Sequence, residues 1–290
     1  MSKKISILMT FFKSLKLEAL AWSFRRIHCP VDKKALVLEV GSGGNPYARS
    51  NVLLDAYEHT RERHWAPLIS DRPTVLGFVE NLPFKDKAFD FVIASHVLEH
   101  SADPEKFLSE LQRVAKAGYI ETPDAFMERV NPYKDHRLEV TVRDEKLVIR
   151  KKSAWQHDAE LIELYEHHAK KWVTSETIPK HPFDFHVRYY WQDTINFEVL
   201  NPEVDASWKA IDDVSTIKQR VYQHPIKQVV RNVLRNLLSQ KKRNKNIDLF
   251  NLLRCPNCHS EKLTKHGVYI SCTSCAQEYN IVNDVPNLGF

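Results

Sequence analysis

Short apolar runs, each closed by a polar or glycine-bearing turn, punctuate the first 123 residues of the chain. The runs at 35–40 (ALVLEV), 52–55 (VLLD), 74–79 (TVLGFV), 89–94 (FDFVIA) and 118–123 (GYIETP) are too short for helices. They are rich in Val, Ile, Leu and Phe, which predicts buried strands. A short, clipped helical crossover is expected between the first two runs. Between the last two, Asp103-Pro104-Glu105 starts a helix, with Asp103 as N-cap and Pro104 at the favoured first position. Phe107, Leu108, Leu111 and Val114 form its apolar stripe. Strand and helix in alternation predict an α/β fold with a parallel sheet covered on both faces.

Past Pro123 the period changes. Residues 138–142 and 146–150 alternate apolar and polar about a polar turn, predicting a hairpin. Residues 159–172 read as helix, 186–200 as a further strand near the sheet edge, and 225–242 as a helix. The last of these has Val229, Val230, Val233, Leu234, Leu237 and Leu238 on one face and arginines on the other. It runs into a charged linker, 241–245. At the other end, Ile5, Leu8, Phe12, Leu15, Leu20 and Trp22 mark an amphipathic helix. Its apolar run is short, Lys13 and Lys16 break it, and no small-residue cleavage site follows, so it does not read as a signal peptide.

Composition narrows this picture. At 290 residues and 43% hydrophobic, the chain can bury one good core and carry a small second module. Three of its 7 glycines (Gly41, Gly43, Gly44) fall in the turn after the first strand. A side chain at Gly41 or Gly43 would hold a ligand off the backbone there. A net charge of +5 permits an anionic partner without demanding one. No stretch is long and apolar enough to span a bilayer, and the expected location is cytoplasmic. Four of the five cysteines form two Cys-x-x-Cys pairs near the end, a pattern of metal ligation in a reducing compartment.

The spaced set of Glu39-x-Gly41-x-Gly43, Leu82-Pro83-Phe84 and Phe89-Asp90-x-Val92, with the following Ser95-His96, resembles class I S-adenosylmethionine-dependent methyltransferases of the type 11 kind over residues 35–123. Asn45-Pro46 stands where a dinucleotide fingerprint would place its third glycine. The resemblance implies a Rossmann-like sheet. It implies that Gly41, Ser42 and Gly43 lie under the methionine part of the cofactor and that Glu39 anchors that loop. It also implies that Asp55 accepts both ribose hydroxyls, a task suited to a carboxylate. Ser95 and His96 correspond to the segment beside the methyl group, and Glu80, Asn81 and Leu82 to further cofactor contacts. Phe78 occupies the position where many relatives keep an acid for the adenine amino group.

Methyl transfer is an in-line displacement from a sulfonium, so positioning carries much of the rate and a base is needed only for a protonated acceptor. His96 is the first candidate base, followed by His100 and Glu99; all follow the fourth strand at its C-terminal end. The Asn-Pro-Pro-Tyr-type segment of amide and adenine N-methylating relatives is absent, which tilts the acceptor towards oxygen or carbon. His136-Arg137 and the group His186, Arg188, Tyr189, Tyr190 and Trp191 are candidate acceptor contacts.

Cys255-x-x-Cys258 and Cys272-x-x-Cys275 have the spacing of two knuckles around one tetrahedral, structural Zn²⁺. With Tyr279, Ile281 and Asp284-Val285-Pro286 they resemble the zinc-ribbon activator subunit of eukaryotic RNA and release-factor methyltransferases. Four segments are expected: an amphipathic helix (1–30), a methyltransferase domain with a β-rich acceptor region (31–205), a basic helical linker (206–247) and a zinc ribbon (248–290). The preferred activity is O-methylation of a glycan, lipid-linked sugar or small metabolite. The alternatives are an RNA or protein methyltransferase with a fused activator-like ribbon, and a non-catalytic cofactor-binding adaptor. The oligomeric state is not readable from the sequence.

Overall fold

A computed structural model describes residues 5–63, 66–209 and 225–289. In chain order its elements are α1 (Ile7–Ser14), α2 (Glu18–Ser23), β1 (Val37–Val40), β2 (Val52–Asp55), β3 (Thr74–Leu76), β4 (Phe91–Ser95), α3 (Pro104–Val114), β5 (Ala117–Pro123) and α4 (Ala125–Val130). There follow β6 (Leu138–Arg143), β7 (Lys146–Lys151), the helical pieces α5 (Ala159–Leu164), α6 (Lys170–Trp172) and α7 (Ile178–Lys180), β8 (His186–Gln192) and β9 (Phe197–Val199). The C-terminal part holds α8 (Pro225–Leu238), α9 (Lys241–Asn244), β10 (Leu263–His266), β11 (Tyr269–Cys272), β12 (Glu278–Val282) and β13 (Val285–Pro286).

Hydrogen bonds join six strands in the order β3-β2-β1-β4-β5-β8, with β1, β2 and β3 parallel. The order reverses beside β1, whose neighbours are β2 and β4, so the sheet has the switch point of an open α/β fold there. β1 and β2 are buried throughout and β4 in all but its last residue, because Val, Leu, Ile and Phe dominate both their faces. Among the described residues, none forms a helix long and apolar enough to cross a membrane.

The chain divides into two compact units. One contains residues 32–93, 106–118 and 215–290. Its core is Val37, Leu38, Val40, Leu53, Leu54, Phe84 and Phe89, together with Phe107, Leu108, Leu111 and Val114, the stripe expected for α3. The crossover from β1 to β2 contains no helix, contrary to expectation. Its residues turn back on Glu39 instead, whose buried carboxylate accepts hydrogen bonds from the Tyr47 amide at 2.8 Å and the Ser50 hydroxyl. β3 stops at Leu76, three residues earlier than expected. Gly77 donates to the Asp55 carbonyl at 2.9 Å, and Val79–Asn81 turns as a 3-10 helix.

The expected linker at 241–245 is a docked helix rather than a free charge run. Arg243 donates to the carbonyls of Lys33 and Ala35, at 2.8 and 2.9 Å, and to that of Lys34. Buried Asn51 donates to Gln240 and Asn244 at 3.0 and 2.8 Å. Along α8, Val229, Val233, Leu237 and Leu238 are exposed. The side chains of Val230 and Leu234 lie outside the described residues, as does the segment 210–224.

The other unit contains residues 1–31, 94–105 and 119–214, of which 1–4 and 210–214 are not described. Here the N-terminal helix breaks in two at Lys16, which is left-handed at φ 58°. The buried residues are Met9 and Ala21, while Leu8, Leu15 and Leu20 of the expected apolar face are exposed. The hairpin β6–β7 turns at Asp144-Glu145, both at positive φ, as its right-handed twist demands. The expected strand at 186–200 is two strands. A turn at Asp193, φ 62°, sends β9 onto β7, while β8 remains at the edge of the main sheet.

Candidate functional site

In the first of these units the turn after β1 carries Gly41 and Gly43, both left-handed at φ 63° and 57°. A Cβ on Gly43 would stand 3.1 Å from Arg63 Cδ. The Gly43 amide donates to Asp55 Oδ2 at 2.9 Å, so the acid closing β2 and the glycine turn are held against each other. Asp55 also accepts from the Tyr57 amide at 3.3 Å and pairs with Arg63 at 2.7 Å. Burial pushes the Asp55 carboxyl above the ordinary aspartate range, and the Arg63 charge offsets only part of this. The hydroxyl of Ser42 is buried and has no hydrogen-bond partner among the described residues. A buried hydroxyl without a partner, a left-handed glycine turn without side chains and a carboxylate closing the next strand together fit S-adenosylmethionine.

The other predicted cofactor residues of this unit follow β3. Glu80 lies on the 3-10 turn Val79–Asn81. The Asn81 side chain donates to the Pro256 carbonyl at 2.9 Å. Leu82 is fully buried, and its amide donates to Glu110 at 2.7 Å. Phe78 packs edge-on to Tyr57, with ring centroids 5.9 Å apart.

In the other unit, Ser95 and His96 end β4 beside Glu121 of β5. Glu121 is fully buried and is reached by Arg25 Nε at 2.8 Å, Ser95 Oγ at 3.0 Å, Tyr119 Oη at 2.5 Å and His96 Nε2 at 3.4 Å. Burial alone would raise the Glu121 pKa, but His96, Arg25 and Tyr119 outweigh it and hold the carboxyl well below the ordinary range. His96 is left-handed at φ 58°, pinned by its amide on the Glu121 carbonyl at 2.7 Å. Its ring is 40% exposed, with Glu99 Oε1 3.4 Å from Nδ1. Desolvation opposes the ring's charge, yet Glu121 and Glu99 prevail and push its pKa up to about 9. This environment favours the protonated ring over the neutral imidazole that a general base requires. Glu99 and His100 lie together on a 3-10 turn, with His136 nearby. Arg188 donates to Tyr119 and Tyr190, at 3.1 and 3.0 Å. Arg25 and Glu128, central to these networks, stood out in no motif, because buried ion pairs between distant segments leave no periodic trace.

At the C-terminus the four sulfurs of Cys255, Cys258, Cys272 and Cys275 lie within 4.8 Å of one another. The Cys255–Cys275 and Cys258–Cys272 pairs are 3.7 and 3.5 Å apart. Sulfurs about 2.3 Å from a tetrahedral zinc ion would be about 3.8 Å apart, so the cluster fits that ion. Tyr279 Oη, 3.1 Å from Cys255 Sγ, and Asn257 Nδ2, 3.5 Å from Cys275 Sγ, supply hydrogen bonds to the sulfurs.

The glycine turn, the acid closing β2 and the strand order around β1 define a class I S-adenosylmethionine-dependent methyltransferase core. Residues 38–120 match the methyltransferase domain family. The chain is similar to an uncharacterised protein of Methanocaldococcus jannaschii, 32% identical over 83 residues, which are 28% of this chain and 40% of that one. It is also similar to the ajmaline N-methyltransferase of Rauvolfia serpentina, 44% identical over 43 residues, 15% of either chain. The chain thus matches less than half the length of these curated relatives. Among solved structures, it is similar to a methyltransferase from Thermotoga maritima, with 21% identity, a TM-score of 0.32, and coverage of 44% of this chain and 67% of that one. A complex of the Haloferax volcanii Trm112 methyltransferase activator is matched at 16% identity and a TM-score of 0.35, over 64% of this chain and 93% of that one. At such scores the likeness adds nothing to the strand order itself.

Proposed function

We propose that this chain transfers a methyl group from S-adenosylmethionine to a hydroxyl of a glycan, lipid-linked sugar or small metabolite. The observation that carries the donor half is Asp55, held by the Gly43 amide at the end of β2, next to the buried Ser42 hydroxyl with no partner. A carboxylate in that place accepts both hydroxyls of a ribose. The turn leaves β1 at the switch point of the sheet, where ligands of open α/β folds bind. The ajmaline N-methyltransferase relative aligns over only 15% of its length, so its nitrogen acceptor does not carry over. Without an Asn-Pro-Pro-Tyr-type segment after β4, the sequence favours an oxygen or carbon acceptor, of which a hydroxyl is preferred here.

The ribbon, with zinc on its four cysteines, acts in this reading as a scaffold for the donor half. The Arg254 amide donates to the Pro83 carbonyl at 3.0 Å, the Lys85 amide to Leu252 at 2.9 Å, and the Leu288 amide to Leu76 at 2.8 Å. An RNA acceptor is less well supported, because Arg243 of the basic run is already spent on the carbonyls of residues 33–35. Calorimetry with S-adenosylmethionine and S-adenosylhomocysteine tests the donor reading. Binding of both is expected; binding of neither overturns it. A panel of hydroxylated acceptors incubated with methyl-labelled donor then tests the acceptor class.

A further inference from the structure

We propose that Glu99, His100 and His136 form a second metal site, separate from the cysteine cluster, for a divalent first-row ion of the zinc type. One ligand atom from each of the three lies within 4.8 Å of the others. The two imidazoles stand edge to face, with centroids 4.7 Å apart and planes at 88°. Glu99 is 2% exposed, and among the described residues neither of its carboxylate oxygens meets a hydrogen-bond donor in good geometry. Its Oε1 forms an ion pair with the His96 ring at 3.4 Å.

Both histidines have a hydrogen-bond acceptor at Nδ1. His136 Nδ1 lies 2.6 Å from Glu128 Oε2, and His100 Nδ1 lies 3.2 Å from the Asp135 carbonyl. Acceptors at both Nδ1 atoms place the proton there and leave the lone pair on Nε2, the arrangement by which outer carboxylates and carbonyls fix metal-binding imidazoles. Glu128 is itself buried and held by Lys152 Nζ at 2.7 Å and the Tyr133 amide at 3.2 Å. The backbone fastens the two segments together independently of any ion, since the Arg137 amide donates to the Glu99 carbonyl at 2.7 Å and the Arg137 guanidinium to that of His100 at 3.1 Å. An ion about 2.0–2.2 Å from each ligand would draw the three atoms to about 3.4 Å apart, a side-chain adjustment within this frame.

Two imidazoles and one carboxylate leave a position open, as in zinc sites that act on a ligand rather than only hold a fold. The ligand such a position suits is an oxygen atom. That the oxygen belongs to a methyl acceptor rests on the function proposed above; the metal site does not.

The test uses the full chain and reads metal, not turnover, so its failure is distinct from failure of the donor reading. The chain is saturated with Zn²⁺, freed of excess by gel filtration and assayed for zinc. Two ions per chain are expected, falling to one in Glu99→Gln and in His136→Gln, with the cysteine cluster still loaded. Glu128→Gln is expected to weaken the second ion about 10–100-fold. One ion in the wild type, or two in both ligand variants, overturns the proposal. Co²⁺ titration of the wild type decides the matter even where a variant fails to fold. After the thiolate-to-cobalt charge-transfer band of the cysteine site saturates, a second set of weak visible bands without thiolate character is expected. Its absence refutes the site.

Discussion

Asn in place of Asp55 separates the binding role of this carboxylate from its structural one. Asp55 and Arg63 are 8% and 11% exposed in their side chains and meet at 2.7 Å. Removing one partner of such a pair strands the other's charge, at a cost of about 3–5 kcal/mol. Asp55→Asn should therefore lower the melting temperature as well as donor affinity. Hydrogen bonds to a charged group contribute about 1.5–3 kcal/mol each. An amide retains one acceptor, so replacing the carboxylate under a ribose diol should remove about 2–3 kcal/mol. That corresponds to about 30- to 140-fold in the dissociation constant at 1.4 kcal/mol per tenfold. The second variant, Asp55→Asn with Arg63→Gln, removes the stranded charge. Its melting temperature should recover towards wild type while S-adenosylhomocysteine binding, followed by calorimetry, stays weak. A folded Asp55→Asn chain that binds within twofold of wild type would refute the ribose assignment. So would a double variant in which affinity returned along with stability.

The pH dependence of donor binding follows from the same carboxyl. Because burial raises its pKa, and the donor binds the ionised form, calorimetric affinity should fall on acidification at a higher pH than an ordinary aspartate allows. Arg63→Gln removes a charge that lowers this pKa and should move the fall higher still. Glu121→Gln leaves the Arg25 guanidinium without its buried partner and should destabilise the chain by about 3–5 kcal/mol, read by denaturant unfolding. Asn51→Ala removes the acceptor of the Val37 amide and the donor to Gln240 and Asn244; about 1–3 kcal/mol of stability should be lost, most of it by release of α9, visible as faster amide exchange over residues 241–244. Cys255→Ser should release the ion held by the cysteines and weaken S-adenosylhomocysteine binding as the contacts to Pro83 and Leu76 loosen.

The donor half was legible because its determinants are local. A buried strand ending in glycines and a second strand ending in an acid are set by burial and φ > 0, both written in consecutive residues. The missing helix between β1 and β2 was only half legible. The eleven residues from Gly41 to Asn51 were seen to be too few for a full crossover, but their closure on the Glu39 carboxylate needs the side-chain bonds to Tyr47 and Ser50. Arg63 on Asp55, Arg25 on Glu121 and Glu128 on His136 were not legible at all. Each joins residues whose separation, from 8 to 96 positions, follows no period. The N-terminal helix misled for the opposite reason. Its periodicity was real, but the left-handed Lys16 breaks the stripe, so Leu8, Leu15 and Leu20 stay exposed while Met9 and Ala21 are buried.

The Leu82-Pro83-Phe84 segment ties these threads together. In the sequence it belonged to a methyltransferase pattern, while the ribbon was a separate module with a metal of its own. In the structure Phe84 bridges Leu253, Pro83 accepts from Arg254, and Asn81 reaches Pro256. β3 ends the main sheet with only three residues, and Asn287 forms a parallel bridge to its Leu76. A short edge strand covered by a later segment is a common solution to unpaired backbone groups at a sheet edge. The ribbon's last residues provide that cover here, and its first cysteine lies one residue beyond the Arg254–Pro83 bond. A C-terminal fold whose four cysteines would be held by a metal ion is thereby coupled to the strand beside Asp55. The cysteines are therefore expected to influence donor binding without touching the donor.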